Sequence, residues 1–170
     1  MTVVRRSSIP CGSEEFSELS TGLLRSGVSI RFLAHGESMA PLVRDGDVLL
    51  VAPVEIGKLL VGDVVLCLSH PGRVVVHRVV ALSDSVSGLQ ALIQGDNVRN
   101  PDGAFGADSI LGRLVSLERS GARIDAHHRP MRLLGRFFVW RSRSALGQGR
   151  AGRLVVRALR RMPGFASYLT

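Results

Sequence analysis

Short runs of apolar and β-branched residues, separated by clusters of Gly, Pro, Asp and Ser, fill much of the chain between residues 48 and 117. β-Branched residues favour extended backbone, and turns rather than helices separate these runs. The pattern therefore predicts a mostly β fold with a coiled, barrel-like antiparallel sheet rather than a doubly wound α/β sheet. The predicted strands cover residues 48–51, 61–68, 74–82, 89–94 and 110–117.

The N-terminal part of the chain carries a helical pattern. Ser13 is suited to cap a helix, two acidic residues follow it at the positive end of the helix dipole, and Gly27 is suited to end the helix. We therefore predict a helix at about 13–26 that packs on the core, followed by a short strand at 30–33. The residues expected on the buried face of this helix are Phe16, Leu19, Leu23 and Leu24.

Charge divides the chain into two parts. Residues 1–128 carry 12 Lys and Arg against 14 Asp and Glu, a net charge of −2, whereas residues 129–170 carry ten Arg and no acid. A chain of 170 residues is long enough to bury one good core. We therefore predict one β domain in residues 1–128, with its core at 30–118, and a basic tail at 129–170 that contains two short amphipathic helices.

The sequence gives no sign of secretion or of a membrane span. The first residues lack the sustained apolar run of a signal peptide, and no stretch reaches the ~18 to 20 apolar residues that cross a bilayer. Cys67 lies in an apolar run, where a free buried thiol is expected. We therefore expect a soluble cytoplasmic protein, with no metal and no cofactor.

Ser38 is the candidate nucleophile. It lies two residues after Gly36 and three before Pro41, and Gly and Pro hold a backbone in a fixed non-helical path that exposes a small side chain. A serine hydroxyl is a poor nucleophile until a neighbouring base takes its proton. Lys58, the only lysine, lies in a turn-like stretch, whereas a lysine base must be buried to lose its charge near neutral pH. Histidine is therefore the better candidate for the base.

His77 is the best placed histidine, because it lies on the most β-branched strand of the chain, where a rigid backbone can aim its side chain. Asp96 and Asp102 follow in a turn-rich loop, and either is a candidate to orient the imidazole. The simpler interpretation of this loop is that it only holds itself together. The other histidines are expected in solvated loops or facing away from Ser38: His35, His70, His127 and His128.

These segments together resemble one family. The pattern Gly-x-Ser-Met-x-Pro, followed by Gly-Asp, is similar to the nucleophile segment of the signal peptidase I and LexA-like serine peptidases. Four further segments match that superfamily in the same order, so the resemblance covers about residues 30–118. The matching residues are 36–41, Gly46, Asp47, 62–65, 77–80, 95–97, Asp102 and 111–115.

The resemblance implies a serine endopeptidase with a coiled β domain. In that family Ser38 would be the acylating nucleophile, His77 the general base, and Asp96 or Asp102 the supporting acid. Members of bacterial type have Lys-Arg where this chain has His77 and Arg78, whereas members of the endoplasmic reticulum, archaeal and sporulation type have His. The chain is therefore similar to the second type.

Two departures from the family affect the substrate and the oxyanion site. Signal peptidases are membrane-anchored and this chain shows no spanning helix, so the predicted substrate is a peptide or a leader-like preprotein segment. Some relatives place a hydroxyl residue where this chain has Gly36, which leaves the backbone N–H of Ser38 as the one oxyanion donor that can be named. The residues expected to position substrate and oxyanion are Gly36, Met39 and Pro41.

Alternatives stay open for both the β domain and the tail. The scaffold could be a non-catalytic module that binds a peptide or a membrane surface. The tail could contact an anionic membrane, with the protein peripheral to it, or its first helix could pack on the β domain with the Arg residues as the solvated face. Nucleic acid is the weaker partner, because few aromatic residues lie between the arginines. Removal of the tail is expected to leave the Ser38 chemistry intact.

Overall fold

The computed structural model describes residues 13–69 and 73–144, and in these ranges it has eight strands and two α-helices. The helices are α1 (Ser13–Arg25) and α2 (Arg129–Arg143), and single 3₁₀ turns lie at Ile56–Lys58 and Ala107–Ser109. The strands are β1 (Ile30–Leu33), β2 (Val48–Pro53), β3 (Val64–Ser69), β4 (Arg73–Ser85), β5 (Gly88–Gln94), β6 (Gly103–Phe105), β7 (Ile110–Arg119) and β8 (Ala122–Asp125).

The eight strands form one antiparallel sheet that curls into a half-barrel. The strand order is β1-β2-β7-β3-β4-β5-β6, and β8 pairs with the second half of β7. β1 and β6 are therefore the two ends of this order, and each has one strand neighbour in the described sheet. The predicted fold, a mostly β chain with a barrel-like antiparallel sheet and a helix on each side of it in sequence, is confirmed.

The predicted strands are present, with differences in extent. β3 begins at Val64 rather than at residue 61, because Gly62 has φ +106° and the Asp63 N–H donates to the Leu60 carbonyl (3.0 Å) in a tight turn. β4 is longer than predicted and continues to Ser85. The sequence pattern missed β6 and β8, since strands of three and four residues are too short to show a period of their own.

The sheet separates two apolar clusters. Val64 and Leu66 belong to the larger cluster, which also contains residues of both helices, whereas Val65 and Cys67 belong to the smaller one. Since successive side chains of a strand face opposite sides, the two clusters lie on opposite faces of β3. The helices therefore cover one face of the sheet, and the other face carries a separate core.

α1 packs on the larger cluster through one stripe. Leu24 is buried, and Phe16 and Leu23 pack against the cluster with part of their surface. The prediction for Leu19 was wrong, because this side chain is 56% exposed and the buried stripe runs through Ser17 and Ser20 instead. The predicted position of the helix, about 13–26, agrees with the observed Ser13–Arg25.

α2 is the first helix of the basic tail, and it packs on the sheet. It buries Met131, Gly135, Phe138 and Val139, and Met131 belongs to the larger core cluster. Of the two interpretations of this helix, the structure has the packed one, and most of the helix's arginines are exposed to solvent. The second predicted tail helix lies outside the described residues. No helix in residues 13–69 and 73–144 is long and apolar enough to cross a bilayer.

Candidate active site

Ser38 lies in a turn whose backbone is fixed on both sides. Gly36 has φ +90°, a conformation that favours glycine, and its N–H donates to Asp45 Oδ1 (2.8 Å). Pro41 is fully buried, and the Ala40–Pro41 peptide bond is cis. Ser38 itself is partly exposed. Gly36 and Pro41 thus shape the turn that presents the hydroxyl, and the predicted role of Gly36, Met39 and Pro41 in positioning substrate and oxyanion stays a prediction.

The Asp47 carboxylate stabilises this turn by hydrogen bonds. Its buried carboxylate accepts hydrogen bonds from the Arg44 backbone N–H (2.8 Å) and from Arg119 Nε and Nη2 (2.8 and 2.6 Å). Arg119 Nη2 also donates to the Leu42 carbonyl (2.8 Å), so the turn is tied to β7. Burial, and then the neighbouring charge of Arg119, lower the pKa of the Arg44 guanidinium. Gly46 and Asp47 belong to the sequence motif, but the motif does not show that Asp47 pairs with Arg119, which lies 72 positions later.

Three side chains form one continuous line of hydrogen bonds. Ser38 Oγ lies 2.9 Å from His77 Nε2, and His77 Nδ1 lies 2.5 Å from Asp102 Oδ2. An ionised carboxylate can only accept, so Nδ1–H donates to Asp102 and Nε2 accepts the hydrogen bond of the Ser38 hydroxyl. The His77 side chain is 7% exposed and that of Asp102 is 25% exposed. The arrangement has the geometry of a nucleophile, a base and an orienting acid.

Three separate parts of the sheet supply these residues. His77 lies on β4 near the middle of the strand order, whereas Ser38 lies in the loop that follows β1. Asp102 immediately precedes β6, and its N–H donates to the Ile93 carbonyl of β5 (2.8 Å). The site therefore lies where the loop after β1 and the loop before β6 both reach the His77 side chain of β4.

Asp96 does not take part in this line. Its carboxylate accepts from Arg78 Nε (2.7 Å) and Nη2 (2.6 Å), and both side chains are only 2% exposed. Because Arg78 follows His77 on β4, its side chain lies on the opposite face of the strand. Of the two candidate acids, Asp102 faces His77 and Asp96 faces Arg78. The structure thereby corrects the placement of Asp96 among the catalytic candidates.

The loop that carries Asp96 holds the backbone around Ser38. The Asn97 N–H donates to the Ser38 carbonyl (2.8 Å), and Asn97 Nδ2 donates to the Glu37 carbonyl (3.1 Å). The Asp96 N–H points to Met39 Sδ at 3.5 Å. The interpretation of this loop as one that holds only itself together was therefore wrong. Sequence reasoning missed Asn97, since a Gly-Asp-Asn turn signal does not show which segment its amide meets.

α2 supports the same loop. Arg141 Nη1 donates to the Asp96 carbonyl (2.5 Å), and the Phe138 ring lies 5.7 Å from the Arg78 guanidinium carbon. A cation over an aromatic face is attracted to it, most strongly where water is excluded. Residues 138 and 141 of the tail therefore contact the loop and the arginine that lie next to the candidate site, whereas the expected effect of removing the tail stays a prediction.

The backbone N–H of Ser38 is free to serve as an oxyanion donor. In the described part of the chain it has no hydrogen-bond acceptor. A small cavity of about 290 Å³ lies beside the turn, and it is lined by Glu37, Ala40, Pro41, Arg44 and Asp45.

The competing bases lie elsewhere. Lys58 is exposed and pairs with Glu55 (3.1 Å), as expected for a solvated turn lysine. His35 is exposed, 3.6 Å from an Asp45 carboxylate oxygen, and His127 lies at the same distance from Asp125. None of these side chains contacts Ser38, and His70 lies outside the described residues.

Cys67 is a free buried thiol, as predicted. Burial, and then the charge of Asp102, raise the pKa of Cys67 to about 12. The thiol therefore stays protonated near neutral pH and cannot compete with Ser38 as a nucleophile. Within residues 13–69 and 73–144, no group of three or more His, Cys, Asp or Glu side chains is arranged to hold a metal ion.

No protein-family model matches the chain, and a search of curated proteins finds no match. The similarity to the signal peptidase I superfamily therefore remains a resemblance that rests on the sequence motifs.

Proposed function

We propose that this chain is a serine endopeptidase that cleaves a peptide or a leader-like preprotein segment through an acyl-enzyme on Ser38. The observation that carries the proposal is the continuous hydrogen-bonded line from Ser38 through His77 to Asp102. The buried salt bridge of Asp96 and the amide of Asn97 support it, because they fix the backbone on which this line depends.

Acylation begins when Ser38 Oγ attacks the scissile carbonyl carbon while His77 Nε2 takes the hydroxyl proton. The carbonyl oxygen gains negative charge, and the Ser38 backbone N–H donates to it. Asp102 holds the ring and stabilises the imidazolium. The C–N bond then breaks, and His77 returns the proton to the leaving amine.

Deacylation repeats these roles with water. His77 Nε2 takes a proton from a water molecule that attacks the ester carbonyl, the bond to Ser38 Oγ breaks, and the serine regains the proton. The products are a free carboxylic acid and the original enzyme, so no cofactor is consumed.

A substrate is expected to bind as an added strand with small side chains near the cut. β1, which leads to Ser38, has a strand neighbour on only one side in the described sheet. An open strand edge offers backbone N–H and C=O groups to an extended peptide, and pockets beside it give specificity. The small cavity beside the Ser38 turn is suited to such a role.

Covalent labelling tests the proposal without knowledge of the substrate. A fluorophosphonate probe is expected to modify Ser38, located by peptide mass spectrometry, because only an activated hydroxyl reacts with it. Ser38→Ala should remove the label, whereas Ser26→Ala, which changes an exposed serine beyond α1, should retain it. Absence of label on Ser38 at any pH would contradict the proposal and favour the non-catalytic binding module.

Gly95→Ala is expected to slow this labelling by about 10²-fold, since small displacements of reacting groups have effects of that order. A Cβ at residue 95 would lie 2.8 Å from the Ser38 carbonyl oxygen and 3.0 Å from His77 Nε2. One of these groups must therefore move. The matched control is Gly106→Ala, because an added Cβ there meets nothing within 4 Å. Equal labelling rates for the two variants would show that this contact does not position the site.

A further inference from the structure

A groove of about 850 Å³ lies between α2 and the sheet, apart from the serine. None of Ser38, His77 and Asp102 lines it, so the proposed chemistry does not use it. Its floor includes Arg78, which follows His77, and Leu42, which lies in the turn after Ser38. The groove is therefore bordered by two segments that also carry residues of the candidate site.

The α2 wall of this groove is cationic. Arg132, Arg136 and Arg143 line it, and their spacing places them along one side of the helix. None of the three has an ion pair among the described residues. Asp63, the one acidic side chain among the described residues of the lining, is already paired with Arg113 (3.3 Å). Positive charge is thus left uncompensated along the groove.

Apolar side chains line the same groove and are open to solvent. Leu60 is 60% exposed and Val61 is 43% exposed, in the turn that precedes β3. Trp140, on α2 between Arg136 and Arg143, is 50% exposed. Large apolar side chains gathered at one cleft and bordered by charges are typical of an interaction site.

We propose that the groove binds an acidic, amphipathic peptide segment of the substrate, outside the scissile bond. The description of this segment as substrate rests on the proposed function, whereas its binding does not require Ser38. Carboxylates of the segment pair with the arginines of α2, and its apolar side chains contact Leu60, Val61 and Trp140. From Arg132 to Arg143 the helix rises about 16 Å, which matches about five residues of extended peptide.

The shape and charge of the groove disfavour a lipid bilayer and residues 145–170 as its ligand. The groove is concave, whereas a bilayer surface is flat over this distance and could touch only its rim. Residues 145–170 carry five Arg and no acidic residue, so their charge opposes binding to a cationic wall. An acidic segment is the ligand that complements both the charge and the apolar lining.

Trp140 reports binding directly, because it is the only tryptophan of the chain. The full chain carrying Ser38→Ala is titrated with a short peptide of alternating Glu and Leu, and the Trp140 emission is followed. The acidic peptide is expected to change the emission, and the same peptide with Gln for Glu is not. Arg132→Gln with Arg136→Gln is expected to weaken binding about tenfold, as loss of two charge-assisted hydrogen-bonded pairs would. The matched control, Arg73→Gln with Arg129→Gln, removes two exposed arginines outside the groove and should change the affinity less than about twofold.

Three outcomes would overturn the proposal. The first is no change in emission with the acidic peptide, or an equal change with the neutral one. The second is a response to phosphatidylserine vesicles without a response to the peptide, which would assign the groove to a membrane. The third is a Trp140 emission that changes with protein concentration in the absence of peptide, which would show that the groove binds a second copy of the chain. Failure of Ser38 labelling in the wild-type chain is a separate result. It would contradict the proposed peptidase activity and would not affect the proposal that the groove binds an acidic peptide.

Discussion

His77→Ala is expected to slow the acylation of Ser38 by about 10⁴- to 10⁶-fold, the range found when one member of a serine triad is removed. Without Nε2 at 2.9 Å, the hydroxyl has no base to take its proton during attack. The measurement is the rate at which fluorophosphonate modifies Ser38, followed by mass spectrometry of the intact protein. His35→Ala, which changes an exposed histidine beside the same turn, should retain the wild-type rate.

Asp102→Asn extends this series and is expected to lower the same rate by about 10³- to 10⁴-fold. The asparagine amide can donate to Nδ1, which moves the imidazole proton to Nε2 and leaves no acceptor for the Ser38 hydroxyl. The fold should be retained, because the Asp102 side chain is partly exposed. Rates within tenfold of wild type for both His77→Ala and Asp102→Asn would show that the hydrogen-bonded line does not activate the serine.

Asp96→Ala is expected to lower the free energy of unfolding by about 3 to 5 kcal/mol, the usual cost of leaving one partner of a buried ion pair uncompensated. Arg78 would retain the Gly62 carbonyl (2.6 Å) and the Phe138 ring, but no negative charge. Urea unfolding followed by the emission of Trp140 measures the change.

The matched control for Asp96→Ala is Glu55→Ala, which breaks an ion pair whose two side chains are 69% and 78% exposed. Water screens such a pair, so the expected loss is below about 1 kcal/mol. Similar losses for the two variants would mean that the Arg78 pair contributes no more than a surface pair. The two aspartates are thus expected to differ in effect, since Asp102→Asn should lower a rate and Asp96→Ala should lower the free energy of unfolding.

The predictable part of the fold came from local chemistry. β-Branched runs bounded by turn residues were sufficient to locate the long strands, and the motifs at Ser38 and His77 were sufficient to suggest a site. Leu19 was misplaced, because a few apolar residues do not define which side of a helix faces the core when Ser17 and Ser20 can be buried there.

The remaining parts of the site depend on contacts between distant segments. Asp96 and Asp102 lie in the same turn-rich loop, and only the folded path of this loop decides that Asp102 reaches His77 and Asp96 reaches Arg78. Asp47 pairs with Arg119 across 72 positions, and Asn97 meets a backbone carbonyl 59 positions earlier. No local pattern encodes such partners, so a single sequence could name the candidates but could not assign their roles.

The assembly of the site from two loops and one strand has a consequence for the detection of structural damage. Ser38 follows β1, and Asp102 precedes β6. A substitution that shifts one of these loops is expected to leave the strands and the circular dichroism unchanged, yet to separate the serine from its base. The reactivity of Ser38 is therefore a more sensitive measure of loop position than any spectroscopic measure of strand content.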